Sequence, residues 1–146
     1  RDYHARNLMV LDDGLGVIDF QDAVLGPITY DLVSLLRDCY IVWPDEQVDG
    51  WCRDFYQQCA NSLSLDCTYQ QFKKDFDLMG MQRHLKAAGI FARLALRDGK
   101  NGYLEDIPRT VAYIASVSAQ YPEFSEFTCF LEERVIPLLS LRLGAA

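Results

Sequence analysis

Three side chains near the start of the chain have the types and spacing for phosphoryl transfer. Asp2 is followed five residues on by Asn7, and Asn7 is followed twelve residues on by Asp19. Moving a phosphoryl group onto a hydroxyl calls for a carboxylate beside the attacking oxygen and for hard oxygen ligands that hold magnesium against the phosphates. A loop Asp with an Asn five residues later supplies one of each, and Asp19 adds the second metal ligand. The Asp2-x4-Asn7 pattern alone is common by chance. Its context gives it meaning. Leu8-Met9-Val10-Leu11 and Leu15 to Phe20 are two short apolar runs around Asp12-Asp13-Gly14, which is a hairpin signal. Asn7 precedes the first strand and Asp19 closes the second, so a hairpin folds both to one end. The competing reading makes Asp2 and Asn7 turn caps and Asp19 an ordinary loop acid.

The neighbours of these residues have chemistry of their own. Gln21 and Asp22 follow Asp19 directly and are candidates to hydrogen-bond an acceptor, or to stabilise a turn. Arg6 lies inside the candidate catalytic loop. It either stabilises charge on a transferring group or pairs with Asp2 or Asp31 to stiffen the loop. His4 titrates in the range of a general base, a role Asp2 already fills. Further on, Arg83, His84 and Lys86 make a basic cluster in an acidic chain. It either meets an anionic group of a substrate or is a solvated helix face. Tyr40, Trp43, Trp51, Phe55 and Tyr56 are spaced for packing between helices, and one of them could stack on a sugar ring.

The elements that must position these residues are mostly helical. Ile28 to Tyr40 is apolar at helical spacing, with Leu32, Leu35, Leu36 and Cys39 on one face, Thr29 as N-cap and Asp31 in the first turn. Trp43-Pro44 breaks it. Glu46 to Ala60 is amphipathic. Thr68 and Gln71 have the spacing of a capping box and open a segment that runs to Asp98, stopped by Gly99. Pro108 to Gln120 and Ser125 to Leu141 follow, the latter reset at Pro137. The long segment carries apolar stripes on two faces, Phe72, Phe76, Met79, Ala87, Ile90 and Leu94 on one and Leu78, Met81, Leu85, Ala88, Ala92 and Leu96 on the other. That predicts a central helix, with Arg83 in the middle of the first stripe. The expected fold is α+β and mostly helical: a β-hairpin and about five helices in one unit.

Composition bounds the partners. The chain has 146 residues, half of them hydrophobic, and a net charge of −7. The acidity argues against a nucleic-acid partner, which needs a clustered basic surface. No apolar run approaches the roughly 20 residues that cross a bilayer, so no transmembrane helix is expected. The five cysteines are scattered without a CxxC pair, which argues against a zinc knuckle and for reduced thiols in a reducing, cytoplasmic compartment.

Three stretches carry a resemblance: Arg1-Asp2-Tyr3-His4-Ala5-Arg6-Asn7-Leu8-Met9-Val10, Val17-Ile18-Asp19-Phe20-Gln21-Asp22, and Gly26-Pro27-Ile28-Thr29-Tyr30-Asp31-Leu32. In this order they resemble the aminoglycoside phosphotransferase/choline kinase family. A narrower likeness is carried by Phe20-Gln21-Asp22-Ala23, Arg83-His84-Leu85-Lys86, Gly89-Ile90-Phe91-Ala92-Arg93 and Arg97-Asp98-Gly99-Lys100. It is to the anomeric kinases of N-acetylmuramate and N-acetylglucosamine in bacterial cell-wall recycling, and runs from residue 1 to about residue 113.

The resemblance implies a two-lobed, protein-kinase-like fold of which residues 1–146 are the C-terminal lobe, carrying catalysis and substrate. It implies Asp2 as the catalytic base, Asn7 and Asp19 as the magnesium and nucleotide ligands, and Asp31 and Arg6 as supports of the catalytic loop. Gln21, Asp22, Arg83 and His84 are then candidates to meet the substrate. The implied co-substrate is ATP with Mg, and the implied partner is an N-terminal ATP-binding lobe of the same protein. The family's His ahead of the catalytic Asp and its phosphate-covering Gly-rich loop have no counterpart in the 146 residues. The expectation is therefore a fragment that is inactive alone, derived from a kinase acting on an amino sugar. The alternatives are an aminoglycoside or choline-type kinase lobe, and a non-catalytic helical lobe that binds a ligand or partner.

Overall fold

A computed structural model describes residues 3–21, 23–63 and 65–143. A single 3-10 turn, Ala5–Asn7, leads into strands β1 (Leu8–Leu11) and β2 (Gly14–Val17). The helices are α1 (Thr29–Leu36), α2 (Asp45–Leu63), α3 (Tyr69–Asp98), α4 (Ile107–Ser118), α5 (Ser125–Phe130) and α6 (Ile136–Leu143). A π-helical segment, Leu131–Val135, joins α5 to α6. The α+β, mostly helical architecture and the antiparallel hairpin agree with expectation. Chain contacts divide the molecule into two compact units, Arg1–Met79 and Gly80–Ala146.

The hairpin is tighter than its apolar runs suggest. Leu8 pairs with Val17 and Leu11 with Gly14, so the turn is Asp12-Asp13 and Gly14 opens β2 at φ +149°, a conformation that favours glycine. The second strand ends at Val17, not Phe20. The Ile18 N–H donates to the Asn7 carbonyl at 3.0 Å and extends the pairing by one step. Beyond it Asp19 takes the left-handed conformation, φ +58°, which ends the strand.

In the first unit Val33 and Leu36 of α1, Val48 and Cys52 of α2 and Phe76 of α3 make one buried cluster, with Leu32, Leu35 and Met79 against it. The α1 helix is shorter than its apolar periodicity predicts, ending at Leu36 instead of Tyr40. Arg37 leaves helical geometry, and the Tyr40 N–H donates to the Asp38 carboxylate at 3.4 Å in a local turn that competes with another helical step. Arg37 then donates to Asp45 at 2.6 Å, which ties the end of α1 to the start of α2. Ile28 is the N-cap and Thr29 is the first helical residue, buried and one position inside its expected place. At the start of α3 the Thr68 hydroxyl accepts the Gln71 N–H at 3.2 Å, while the Gln71 amide donates forward to Asp75 at 2.9 Å. Only the Thr68 side of the expected box is used in this way.

In the second unit α4 has the strongest amphipathic character, burying Ile107, Thr110, Val111, Ile114, Ala115, Val117 and Ser118. Thr128 of α5 donates to the Ser118 hydroxyl at 2.8 Å, a buried polar link between α4 and α5. The π segment lies just ahead of Pro137. A proline there has no N–H for the preceding turn, so the hydrogen-bond ladder shifts register. Gly99, at φ +65°, closes α3 as expected.

The two-stripe expectation for α3 needs correction. Its buried residues are Phe72, Phe76, Asp77, Gly80, Met81, His84 and Phe91, a broad face that takes Phe72 and Phe76 from the first stripe and Met81 from the second, whereas Leu85 and Leu96 of the second stripe are exposed. The buried polar side chains of α3 are Asp77, paired with Lys73 at 2.6 Å, and His84, next to the Arg83 that the spacing puts in the first stripe.

Candidate functional site

The hairpin positions the candidate site. Asn7 ends the 3-10 turn, and its carbonyl is held by Ile18. Asp19 is therefore one residue past the partner of Asn7, and both lie at the open end of the hairpin, where the spacing argument put them. Asp2 and Asp22 lie outside the described residues, so the geometry begins at Tyr3 and passes over residue 22.

The loop ahead of β1 is held from two sides. His4 caps the 3-10 turn, its Nδ1 accepting the Arg6 N–H at 3.3 Å. The Arg6 guanidinium lies over the Tyr40 ring, 3.6 Å from its centroid. Through this contact Arg6 is held by an aromatic face; Asp2, one of its two expected partners, lies outside the described residues. Tyr40 is 34 positions away, on the segment between α1 and α2, and nothing local in the sequence signals the contact. His4 likewise serves as a cap, a role missed in the sequence although its position before a short turn allowed it.

On the other side of the hairpin end, Asp19 and Gln21 meet. The Gln21 Nε2 donates to Asp19 Oδ1 at 2.5 Å, with both residues exposed. A non-glycine residue at positive φ is uncommon, and Asp tolerates it better than most because its short polar side chain bonds locally. Asp31 is exposed in the first turn of α1. With Tyr30, Pro27 and Leu25 it lines a surface depression of about 400 Å³ formed by residues 24–31.

Magnesium fits the donors at the hairpin end. Asp19 offers a carboxylate and Asn7 an amide oxygen, both hard and neither sulfur nor nitrogen. Two protein ligands suit an ion that keeps waters and takes its remaining oxygens from phosphates. Among the described residues no group of three His, Cys, Asp or Glu side chains could hold a metal.

Arg83, His84 and Lys86 do not form the single solvated cluster that was one of the two expectations. Lys86 is exposed, Arg83 is half-buried, and His84 is buried and stacked on Tyr113 of α4, ring centroids 4.0 Å apart and planes 27° from parallel. Gly80, one turn before His84, lets this happen: a Cβ there would overlap the Tyr113 hydroxyl. The Trp43–Trp51 pair packs edge to face at 5.4 Å, and Phe55, Tyr56, Tyr69 and Phe72 form a continuous aromatic group. This is packing between the segments of the first unit, as the sequence suggested.

Beside this group is a polar knot. Asp49 accepts the Tyr69 hydroxyl at 2.8 Å and Arg53 Nε at 3.0 Å. The Tyr69 hydroxyl, then Arg53, holds the Asp49 carboxyl below its ordinary value, while burial and the same bond push the Tyr69 phenol up. Burial pushes the Cys52 thiol up to about 12. That is the reverse of what a nucleophile needs; Cys52 and Cys59 are buried, Cys39 and Cys67 half-buried and Cys129 exposed. In the second unit an apolar cavity of about 580 Å³ lies between the end of α3 and α6, lined by Ala92, Leu96, Leu104, Leu138 and Leu139, with Asn101 and Arg142 as its polar members. No described helix is long and apolar enough to cross a membrane.

Residues 1–61 match the model of the phosphotransferase enzyme family, a span that holds Asn7, Asp19, Gln21 and Asp31 but not Arg83 or His84. The chain is 49% identical over 127 residues to the N-acetylmuramate/N-acetylglucosamine kinase of Pseudomonas putida, a match covering 86% of this chain and 38% of that protein. It is 48% identical over 136 residues to the N-acetylmuramate/N-acetylglucosamine kinase of Neisseria meningitidis serogroup B, covering 92% and 41%. The protein of the same name from Pseudomonas aeruginosa is 42% identical over 127 residues, covering 86% and 38%. The resemblance read from the motifs is thus borne out over most of the chain. The chain spans about two fifths of the length of the relatives it matches.

Proposed function

We propose that this chain is the catalytic and substrate lobe of an ATP- and magnesium-dependent phosphotransferase that phosphorylates the anomeric hydroxyl of an N-acetyl amino sugar in the cytoplasm. The observation that carries the proposal is the hairpin end. The Ile18 N–H bonded to the Asn7 carbonyl sets the backbone of Asn7 and Asp19 at one end of the hairpin, within the span that matches the phosphotransferase family, and this supports reading the two as a ligand pair. The relatives' names supply the acceptor class.

In this reading Asp2 accepts a hydrogen bond from the acceptor hydroxyl, aims its oxygen at the γ-phosphorus and takes its proton as the new bond forms. Asn7 and Asp19 hold magnesium, which when bound neutralises charge on the phosphates. The Arg6–Tyr40 contact and the His4 cap keep the loop carrying Asp2 and Asn7 from moving, which matters because catalysis here is mostly positioning. Asp31 braces that loop from α1. The nucleotide is held mainly by an ATP-binding lobe of the same protein, so the 146 residues alone turn over nothing measurable.

A chimera tests this. The segment of the Pseudomonas putida relative that matches this chain is replaced by it, and ADP release is followed with N-acetylmuramate, N-acetylglucosamine, an aminoglycoside or choline as acceptor. The proposal expects release with the amino sugars and phosphate on the anomeric oxygen. Asp2→Ala is expected to lower kcat by about 10³-fold or more, from loss of both proton transfer and aim. Undiminished turnover in Asp2→Ala, or release only with choline or the aminoglycoside, overturns it.

A further inference from the structure

Gln21 is not needed by the mechanism above, and the structure bonds its exposed side chain to Asp19. Its Nε2 donates to Asp19 Oδ1 at 2.5 Å, two residues away, across a backbone that turns left-handed at Asp19. Two facts make this contact more than a surface accident. First, Asp19 is at φ +58°, a conformation that costs free energy for a residue with a Cβ and persists where surrounding interactions hold it. The Gln21 bond spans that residue and closes the turn. Second, a carboxylate that accepts one N–H on Oδ1 has a preferred rotamer and one oxygen, Oδ2, without that donor. A carboxylate free to rotate would present either oxygen, and the rotation would have to stop when a metal bound.

We propose that Gln21 is a positioning residue for Asp19: its side-chain amide holds Oδ1 and fixes the carboxylate that would hold the cation. The inference rests on the reading of Asp19 as a magnesium ligand. Outer hydrogen-bond partners of metal ligands typically change affinity by about 10- to 100-fold when removed. Both residues are exposed, so the low end, about tenfold, is expected here.

The test is Mn²⁺ binding to the chimera described above with a non-hydrolysable ATP analogue present, followed by the electron paramagnetic resonance signal of the ion against the analogue without protein. It requires no turnover. Wild type is compared with Asp19→Asn, Gln21→Met and Gln21→His. Methionine keeps the length and loses the donor; histidine returns a ring N–H at the same number of bonds from the backbone. Far-UV circular dichroism and melting temperature check that each variant folds. The expected result is Mn²⁺ binding lost in Asp19→Asn, weakened about tenfold in Gln21→Met and restored in Gln21→His. Binding in Gln21→Met equal to wild type, with Asp19→Asn defective, overturns the role of Gln21 and leaves the metal site standing. Asp19→Asn indistinguishable from wild type, or no Mn²⁺ bound by any form beyond what the analogue holds alone, overturns the metal reading and this inference with it.

Discussion

Gly80 is the position at which a single carbon atom should have the clearest effect. In an exposed helix interior, Gly→Ala stabilises by about 1 kcal/mol through backbone entropy. Here the new Cβ would overlap the Tyr113 hydroxyl and approach Tyr113 Cζ and Cε1 at 3.1 and 3.3 Å. A tyrosine hydroxyl is the far end of its side chain and would ordinarily swing aside. Tyr113 has little room to do so, because its ring stacks on the buried His84 at 4.0 Å. Overpacking of this kind costs about 1–3 kcal/mol, and loosening the stack adds about 0.5–1.5 kcal/mol. Setting these against the propensity gain, Gly80→Ala should destabilise the chain by about 0.5–3.5 kcal/mol, about 2 kcal/mol at the middle of the range. Tyr113→Phe removes the nearest atom and leaves the 3.1 Å approach to Cζ, which a shift of a few tenths of an ångström relieves. In that background Gly80→Ala should be close to neutral, giving a coupling of about the same size. Urea denaturation of the four chains of the cycle measures it, with thermal melting as a second probe at about 2–4 °C per kcal/mol for a chain of this size. Gly80→Ala as stable as wild type, or equally costly with and without the Tyr113 hydroxyl, would refute the steric argument.

Three further predictions concern other parts of the chain. Because Asp19 sits at φ +58°, Asp19→Gly should be more stable than Asp19→Ala by about 1 kcal/mol, measured by urea denaturation; equal stability would show that the left-handed turn is not held in solution. The Asp49 carboxyl is held below 3.8, first by the Tyr69 hydroxyl and then by Arg53, so its stabilising effect is fully present above that value and is lost as pH falls below it. Tyr69→Phe removes the larger cause. After screening at this partly exposed pair it should cost about 0.5 kcal/mol at neutral pH and progressively less as pH falls below 3.8, and a difference that grows with acid would contradict the assignment. Cys52, buried and with its thiol pushed up to about 12, and the buried Cys59 should not react with a thiol reagent at about pH 8 until the chain unfolds, while Cys129, whose thiol Glu133 also raises, is exposed and reacts slowly in the folded state. Five thiols titrating at one rate would contradict the packing.

What could be read without coordinates was local. The Asp2-x4-Asn7 spacing, the hairpin after it and the Asp that ends the hairpin all lie within 19 residues, and pairing across a two-residue turn leaves one register. For the same reason the Gly99 stop, the Thr68 cap and the reset at Pro137 were legible, since each acts through its own backbone. Three things came only from the folded chain. The helix beginning at Thr29 stops at Leu36 because the Asp38 turn and the Arg37–Asp45 bond outcompete an apolar periodicity that continues to Cys39. Arg6 finds Tyr40, and no rule of spacing pairs residues 34 apart. His84 enters the core while Arg83, one position earlier, stays half-buried, because Gly80 leaves a notch that a tyrosine from another helix fills. A helical period states which residues share a face. Which face is buried depends on the shapes that meet it, and those belong to segments distant in the chain.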